Sequence, residues 1–256
     1  MPRRLIVVSG AGLSVESGIR AFRTDTDSGK AMWGGNEEDD QYDIDEVCNI
    51  HAFRGNFYHK THDFYNKRRV ELGTVEPNPA HCKIAEWYKR FPGQVLNITT
   101  NVDDLLERAG VLEPSILHVH GYLPEVVVET EAGSAKEIIN VGYKAINPDD
   151  YGWCKPNVVF FGEMAPKYTD MYNILDNLTV QDMVIVVGCS NQVINFNWEL
   201  FPAVARGTKM LVVNPEVNYL EQEGYESRGV LVYRAGAVET FSNQGFIRVV
   251  EKHLEG

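Results

Sequence analysis

The stretch LIVVSGAGLSVESG, residues 5–18, joins a short apolar run to a turn that contains three glycines. An unbroken apolar run of this length is typical of a strand buried on both faces of a parallel sheet. Glycines in the turn let backbone N–H groups approach a pyrophosphate, and a following helix N-terminus adds partial positive charge. The spacing of Gly10, Gly12 and Gly18 differs from the GxGxxG dinucleotide fingerprint, and such a turn is often only a turn. The stretch therefore predicts a parallel sheet and leaves nucleotide binding open.

Further apolar runs recur along the chain, each bounded by Gly, Asn or Ser. With the first they occupy residues 5–10, 95–101, 116–121, 157–163, 183–190, 209–214 and 230–236. Helical patterns separate most of them, at residues 80–91, 103–110, 168–178, 197–207 and in the C-terminal tail. This alternation predicts an α/β fold with a doubly wound, Rossmann-like parallel sheet.

Two segments interrupt the alternation. Residues 24–78 are polar and lean towards helix, and residues 122–156 contain EVVVET and EIINV, which resemble a small antiparallel hairpin. We expect these two insertions to form a smaller module. The Rossmann-like domain then comprises residues 1–23, 79–121 and 157–256.

Composition excludes several classes of protein. A formal net charge of −12 over 256 residues argues against nucleic-acid binding, which needs a basic face. No apolar run reaches the roughly 18 residues of a membrane span, so we expect no membrane partner. The four cysteines form no CxxC pair, which argues against a disulfide framework and against a zinc site built from two close pairs. A cytoplasmic location is the expectation, and the oligomeric state is left undetermined.

Polar residues follow several of the predicted strands. Because ligands of open α/β sheets bind beyond the carboxyl ends of strands, these residues should surround one crevice. They are Asn101, Asp103, His120, Ser190, Asn214 and Glu216. Each is a common strand-end cap by itself, and only their concurrence indicates a site.

The motifs that carry these residues resemble, in the same order, those of the sirtuin (Sir2) family of NAD-dependent protein deacylases. GAGLSVESGIRAFR (10–23) is similar to the family's first cofactor loop, TTNVD (99–103) to its Gln-Asn-Ile-Asp block, and HVHG (118–121) to its catalytic His-Gly. NVVFFGE (157–163) resembles its substrate-pairing segment, GCS (188–190) its Gly-Thr-Ser, and NPE (214–216) its ribose-side Asn-x-Glu.

The resemblance implies roles for individual residues. The implied NAD-binding residues are Gly10, Ala11, Gly12, Ser14, Gly18, Phe22, Arg23, Thr100, Asn101, Val102, Asp103, Gly188, Cys189, Ser190, Asn214, Pro215, Glu216 and Ala237. An acylated peptide would pair with Val159, Phe160, Phe161, Gly162 and Glu163. His120 would be the general base, with Asn101 and Asp103 positioning water and the nicotinamide carboxamide. The implied products are nicotinamide, O-acyl-ADP-ribose and free lysine.

The segment FYNKRR (64–69) resembles the Tyr-x-x-Arg of desuccinylase-like sirtuins, with Tyr65 and Arg68 at the matching positions. Residues i and i+3 share one helix face, so a phenol and a guanidinium there can both bind one carboxylate. Ala21, in place of an aspartate, leaves room for such a group. We expect a preference for succinyl or malonyl groups, with Arg69 pointing elsewhere. Without the resemblance, a solvated basic helix would be the simpler interpretation.

The chain also departs from the family pattern. Sirtuins usually hold zinc with four cysteines between the His-Gly and FGE blocks, whereas this chain has only Cys154 there, so we expect no metal. Thr100 stands for the family's Gln and Cys189 for its Thr. An NAD-consuming hydrolase or ADP-ribosyl transferase is the alternative function, and a non-catalytic NAD-binding module is a third.

Overall fold

The computed structural model of the chain describes residues 2–19, 43–129, 136–189, 191 and 194–256. Within these ranges the strands are β1 (Arg4–Ser9), β2 (Val95–Thr99), β3 (Ile116–His118), β4 (Gly121–Glu129), β5 (Lys136–Asn140), β6 (Cys154–Val158), β7 (Asp182–Val187), β8 (Lys209–Val213) and β9 (Leu231–Tyr233). Six of them form a parallel sheet in the order β3-β2-β1-β7-β8-β9. The order reverses beside β1, as the predicted doubly wound α/β fold requires.

Helices cover both faces of this sheet and build most of the described part of the first insertion. Within the described residues they are α1 (Ile44–Val47), α2 (Ile50–Arg54), α3 (Tyr58–Leu72), α4 (Pro79–Arg90), α5 (Leu105–Ala109), α6 (Tyr168–Asp176), α7 (Phe196–Glu199), α8 (Phe201–Ala205), α9 (Tyr219–Glu226), α10 (Ala237–Ser242) and α11 (Gln244–Glu255). None of the helices in these ranges is long and apolar enough to cross a lipid bilayer.

Alternate residues of β1 enter two different hydrophobic clusters. Leu5 and Val7 pack with residues of α4, α10 and α11, whereas Ile6 and Val8 pack with residues of α6 to α9. Because successive side chains of a strand point to opposite faces, a strand buried on both sides must be apolar at every position. The run that opens the chain therefore forms the central strand.

The second insertion forms a separate antiparallel sheet in the order β5-β4-β6, which confirms the predicted hairpin between β4 and β5. The prediction that residues 157–163 form a strand of the parallel sheet is wrong. The strand there, β6, begins at Cys154, pairs with β4 in the small sheet and ends at Val158. An apolar run alone does not show which sheet buries a strand.

Candidate functional site

The loops after β1 and β7 touch backbone to backbone at the carboxyl edge of the parallel sheet. The Gly12 N–H donates to the Gly188 carbonyl oxygen at 3.0 Å. A Cβ added at Gly12 would lie 2.5 Å from the Gly188 Cα, and one added at Gly10 would lie 2.7 Å from the Gly188 oxygen. Gly188 itself has a φ of +56°, a conformation that side chains disfavour. The glycines thus keep a cradle of bare backbone, which fits close approach by a pyrophosphate.

A buried hydrogen-bond network lies beneath this cradle, centred on the Ser14 hydroxyl. Ser14 Oγ donates to Asp103 Oδ2 at 2.8 Å and accepts from Asn101 Nδ2 at 3.1 Å. His81 Nδ1 accepts from the backbone N–H of Asn78, so its Nε2 carries the proton that faces Ser14 Oγ at 3.4 Å. Two incoming donors leave the serine proton one direction, towards Asp103.

Burial changes the proton affinities of this network. Burial raises the pKa of Asp103, and the Ser14 hydrogen bond opposes that rise. Burial lowers the pKa of His81 to about 4, so its imidazole is neutral at neutral pH. The network therefore offers the crevice one acidic group of raised pKa, held in a fixed orientation.

His120 follows β3 at the same edge and is half-buried. Its Nδ1 lies 3.1 Å from the Thr100 carbonyl oxygen, which can only accept, so Nδ1 carries the proton. Its Nε2 lies 2.8 Å from the Tyr168 hydroxyl. Burial lowers the pKa of His120, although the Thr100 carbonyl opposes the change. A neutral imidazole with an Nε2 lone pair can act as a general base.

The neighbouring His118 has other partners. Its Nδ1 contacts the Asn101 carbonyl oxygen at 3.2 Å, and its Nε2 contacts Glu107 at 2.7 Å. His118 is buried and supports the loop that carries Asn101. These contacts make His118 a structural residue.

A second part of the crevice lies beyond β8 and β9. The Asn214 N–H donates to the Tyr233 carbonyl oxygen, and Asn214 Oδ1 accepts from the Glu216 N–H at 3.0 Å. Glu16, after the glycine turn, accepts from the Val238 N–H at 2.8 Å. This contact connects the glycine turn to the first turn of α10, where Ala237 is buried.

The other predicted cofactor residues also lie on these loops. Thr100 donates both its N–H and its hydroxyl to the Ser9 carbonyl, which holds the end of β2 against β1. Residues next to these contacts are Ala11, Gly18, Val102, Cys189 and Pro215. Phe22, Arg23 and Ser190, together with Ala21, lie outside the described residues.

The predicted peptide-binding segment, residues 159–163, leaves the small sheet beside the base. The Val159 N–H donates to the His120 carbonyl oxygen at 2.8 Å. Phe161 forms a parallel bridge to Asn49, and its side chain is 56% exposed. Glu163 accepts from the Phe160 N–H at 2.8 Å and forms an ion pair with Lys155 at 3.0 Å. The segment is held at both ends and keeps an apolar side chain in solvent.

Tyr65 and Arg68 are both buried on α3. The Tyr65 ring stacks on Phe160 with centroids 5.5 Å apart, and its hydroxyl donates to Cys48 Sγ at 3.3 Å. Burial raises the pKa of Tyr65 well above its ordinary value, so the phenol stays a donor. Arg68 forms a 2.7 Å ion pair with Glu71, whose side chain is 51% exposed.

Arg69 faces a different direction from Arg68, as expected, but that direction is the protein interior. Arg69 is completely buried, and its guanidinium donates to the Leu123 carbonyl oxygen and to Asn66 Oδ1. Burial lowers the pKa of Arg69 to about 10. Arg69 joins α3 to the small sheet, so it is a structural residue and unsuitable as a neutral control for Arg68.

Some features lie outside the site. Among the described residues no group of three or more His, Cys, Asp or Glu side chains could hold a metal ion. Cys154 contacts Tyr58 and His62 instead. A cavity of about 610 Å³ lies at the amino ends of β7, β8 and β9, on the edge of the sheet opposite His120.

Sequence reasoning missed three residues of the site. Glu71 stands three positions after Arg68, and helical spacing could have identified it as a partner. Cys48 contacts Tyr65 from the turn between α1 and α2, and Tyr168 contacts His120 across 48 residues. No local pattern marks either contact.

Comparison with known proteins agrees with the order of the motifs. The model of the Sir2 family matches residues 10–195. A Helicobacter hepaticus protein named NAD-dependent protein deacylase is 39% identical over 226 residues, covering 80% of this chain and 82% of the relative. A protein of the same name from Campylobacter jejuni strain RM1221 is 38% identical over 197 residues, covering 75% and 76%.

Solved structures give the same result. A mutant Sir2 homologue in complex with ADP-ribose superposes with a TM-score of 0.75 and 28% identity, covering 98% of this chain and 93% of the other. A Sir2 homologue in complex with NAD gives a TM-score of 0.74 and 28% identity, covering 98% and 90%. The family match spans well over half of the chain and contains the glycine cradle, the Ser14–Asp103 network and His120. The chain therefore belongs to the Sir2 family.

Proposed function

We propose that the protein is an NAD-dependent protein-lysine deacylase that prefers acyl groups ending in a carboxylate, such as succinyl and malonyl. The overall reaction converts acyl-lysine, NAD and water into lysine, O-acyl-ADP-ribose and nicotinamide. The observation that carries the proposal is the position of His120, a neutral imidazole with a defined tautomer, at the sheet edge that also holds the glycine cradle.

The residues of the crevice fit NAD. NAD supplies the ADP-ribose that accepts the acyl group and the nicotinamide that leaves. The backbone of Gly10 and Gly12 would bind the pyrophosphate, and Asn214 and Glu216 would bind a ribose. Asp103 would bind the carboxamide, since a buried acid whose pKa is raised can accept or donate a hydrogen bond to an amide.

The acylated peptide would add a strand along residues 159–163. Extended segments bind peptides through main-chain hydrogen bonds, although the Phe161 N–H and carbonyl oxygen already pair with Cys48 and Ile50. The Val159 N–H is already taken by the His120 carbonyl, so this segment lies directly beside the base. The exposed ring of Phe161 would cover the aliphatic stem of the substrate lysine.

The far end of the acyl group would reach Tyr65. Phe160 follows Val159 in the chain and stacks on the Tyr65 ring, which connects the base to α3 by two direct contacts. Tyr65 offers a neutral hydroxyl and Arg68 a guanidinium from the same helix face. A carboxylate would receive one hydrogen bond from Arg68 and one from the Tyr65 hydroxyl, which would turn from Cys48 Sγ to the ligand, and such charge-assisted bonds are strong in a buried site.

Glu71 pairs with Arg68 in the structure. Its half-exposed carboxylate, bound to a buried guanidinium, has the chemistry of the proposed ligand group. A succinyl carboxylate would replace it, while Glu71 turns to solvent at little cost because it is largely hydrated already.

The general function is tested with NAD and matched acetyl, succinyl and malonyl peptides, following nicotinamide release with and without peptide. Peptide-dependent release together with O-acyl-ADP-ribose supports the deacylase. Release that is independent of peptide would contradict it and favour an NAD hydrolase, and transfer of ADP-ribose to a protein would favour a transferase.

The acyl preference is tested with Arg68→Met. Loss of hydrogen bonds to a charged partner, about 1.5–3 kcal/mol, should lower kcat/KM for the succinyl peptide roughly 10- to 150-fold. The acetyl peptide should be unaffected or improved. Tyr65→Phe should act in the same direction more weakly. Glu71→Gln should raise kcat/KM for the succinyl peptide up to about fivefold, because the competing ion pair is worth at most about 1 kcal/mol.

Lys67→Met is the matched control, since it removes a cation adjacent to Arg68 on the same helix. It should leave the ratio of succinyl to acetyl turnover unchanged. Equal losses for both peptides in Arg68→Met would show that α3 is only scaffold.

We also propose a cytoplasmic location. All four cysteines, each within the described residues, are thiols. Thiols persist in reducing compartments.

A further inference from the structure

The lone pair that the proposed base needs is already occupied in the structure. His120 Nδ1 must carry its proton to bond the Thr100 carbonyl, so the neutral ring has its lone pair on Nε2. The group 2.8 Å from Nε2 is the Tyr168 hydroxyl, which must therefore be the donor. Burial raises the pKa of Tyr168, which keeps its proton on the phenol.

Tyr168 is well placed to hold the ring. It is the first residue of α6, and its N–H bonds the Ala165 carbonyl. The rings of Tyr168 and His120 lie 5.8 Å apart at 37°, so they are in contact as well as hydrogen-bonded. Tyr168 stands five positions after Glu163, the last residue of the proposed peptide-binding segment.

Within the described residues, no charged group competes with the Tyr168 hydroxyl for His120 Nε2. The influences on its pKa are burial and the Thr100 carbonyl. The titratable groups that face Tyr168 are Tyr172, in edge contact at 5.9 Å, and the Cys189 thiol. Burial raises the pKa of Tyr172, so its phenol is neutral at neutral pH.

We propose that Tyr168 is a positioning residue for His120. Its hydroxyl donates to His120 Nε2 until NAD and acyl-lysine bind, and a ribose hydroxyl then takes its place. This inference rests on the proposed function, in which His120 is the base. The exchange is balanced, because one O–H donor to Nε2 replaces another. The incoming hydroxyl can then give its proton to His120, whereas the phenol stays neutral throughout.

The hydrogen bond from Tyr168 to His120 Nε2 has a measurable consequence in the protein without substrates. A donor to Nε2 stabilises the neutral imidazole, so removing it should make His120 easier to protonate. Tyr168→Phe keeps the ring contact and removes only the hydroxyl. Tyr172→Phe is the matched control, because it removes a phenol from the same helix that does not bond His120.

The first test uses ¹⁵N-labelled protein without substrates, with the His120 ring signals assigned by their loss in His120→Gln. The unaltered protein should show a protonated Nδ1 and a hydrogen-bonded Nε2. In Tyr168→Phe the Nε2 signal should move downfield, and the titration midpoint of the ring should rise by about half to one pH unit. The same signal and midpoint in Tyr168→Phe as in Tyr172→Phe would overturn the proposal.

The second test is the pH dependence of kcat/KM, which reports the base in the free enzyme. The acid limb should move to higher pH in Tyr168→Phe by the shift seen in the titration, while turnover above the limb stays within about threefold of the unaltered protein. A loss of turnover of roughly 100-fold or more at every pH would contradict the positioning role and assign the phenol to the chemical step. Absence of turnover in the unaltered protein would refute the proposed function, while the resonance test would still decide the Tyr168 contact.

Discussion

The Ser14 hydroxyl donates a 2.8 Å hydrogen bond to Asp103 Oδ2, and both side chains are buried beneath the glycine cradle. Two donors, from Asn101 and His81, fix the serine proton in that direction. The hydrogen bond favours ionised Asp103, yet burial outweighs it and the pKa of Asp103 is raised. Burial of the Asp103 carboxyl group lowers the stability of the folded protein, and a bound ligand that forms a hydrogen bond with it can offset this loss.

Asp103→Asn should therefore stabilise the protein at neutral pH. Because the pKa of Asp103 is higher in the folded state than in the unfolded state, ionised Asp103 lowers the stability of the fold. This loss is complete at a pH above both pKa values and absent at a pH below the unfolded-state pKa. The gain in free energy of unfolding should be absent near pH 4 and grow as pH rises above the ordinary value of 3.8. Urea unfolding between pH 4 and 8 measures it. Asp63→Asn, at an exposed position of α3, should show no such trend, and an Asp103→Asn gain that is flat with pH would refute the explanation.

His62 should destabilise the fold in acid. It is buried against β6, where its Nε2 donates to the Cys154 carbonyl oxygen at 3.1 Å, and burial lowers its pKa to about 4 from 6.5. Because the unfolded chain takes up the proton first, stability is complete above pH 6.5 and falls by about 3 kcal/mol towards pH 4.

His62→Gln keeps a donor for the carbonyl and should flatten this dependence. His59→Gln is the control, since His59 lies on the same helix with 65% of its side chain exposed. Equal pH dependence of unfolding in His62→Gln and in the unaltered protein would contradict the assignment.

Gly188→Ala should disrupt the cradle. The new Cβ would lie 2.4 Å from backbone atoms of Gly12, in addition to the strain of a φ of +56°. We expect a loss of at least about 2 kcal/mol of stability and no measurable NAD binding.

Gly142→Ala separates the two effects, because Gly142 has a φ of +62° and nothing within 4 Å of an added Cβ. It should cost only about 1–2 kcal/mol and leave NAD binding intact. Normal NAD binding in Gly188→Ala, measured by calorimetry, would show that the two loops do not form the cofactor site.

His120→Ala should abolish deacylation while NAD binding survives. A base is lost but the glycine cradle is not, and general base catalysis contributes roughly 10²- to 10⁴-fold. Single-turnover kinetics with an acyl peptide and calorimetry with NAD measure the two properties. His118→Gln should instead lower stability, because His118 bonds Glu107 and the Asn101 carbonyl. Near-normal turnover in His120→Ala would mean that another group is the base.

The purified protein should contain no tightly bound zinc. The sequence has only Cys154 between the His-Gly and FGE blocks, and the second insertion forms a small antiparallel sheet around that position. Elemental analysis of protein prepared without chelators checks this. About one zinc per chain would contradict the prediction.

Sequence alone indicated that residues 5–10 form a buried strand, that strands and helices alternate, and that a set of motifs follows the strands at the carboxyl edge. These follow from local rules: an apolar run before a glycine turn is typical of a strand buried on both faces, and parallel strands bring their ends to one edge. The same patterns could not assign residues 157–163 to a sheet, because an apolar run fits either the parallel sheet or the small one.

Tertiary structure decided which side chains of α3 face the protein and what the base contacts. Arg68 and Arg69 are adjacent, buried cations on one helix, yet Arg69 donates to the Leu123 carbonyl oxygen, whereas Arg68 forms an ion pair with Glu71. Tyr168 lies 48 residues from His120 and meets it only because β3 and α6 come together in space. Hydrogen bonds of this kind depend on the relative orientation of distant elements, and a local pattern carries no information about that orientation.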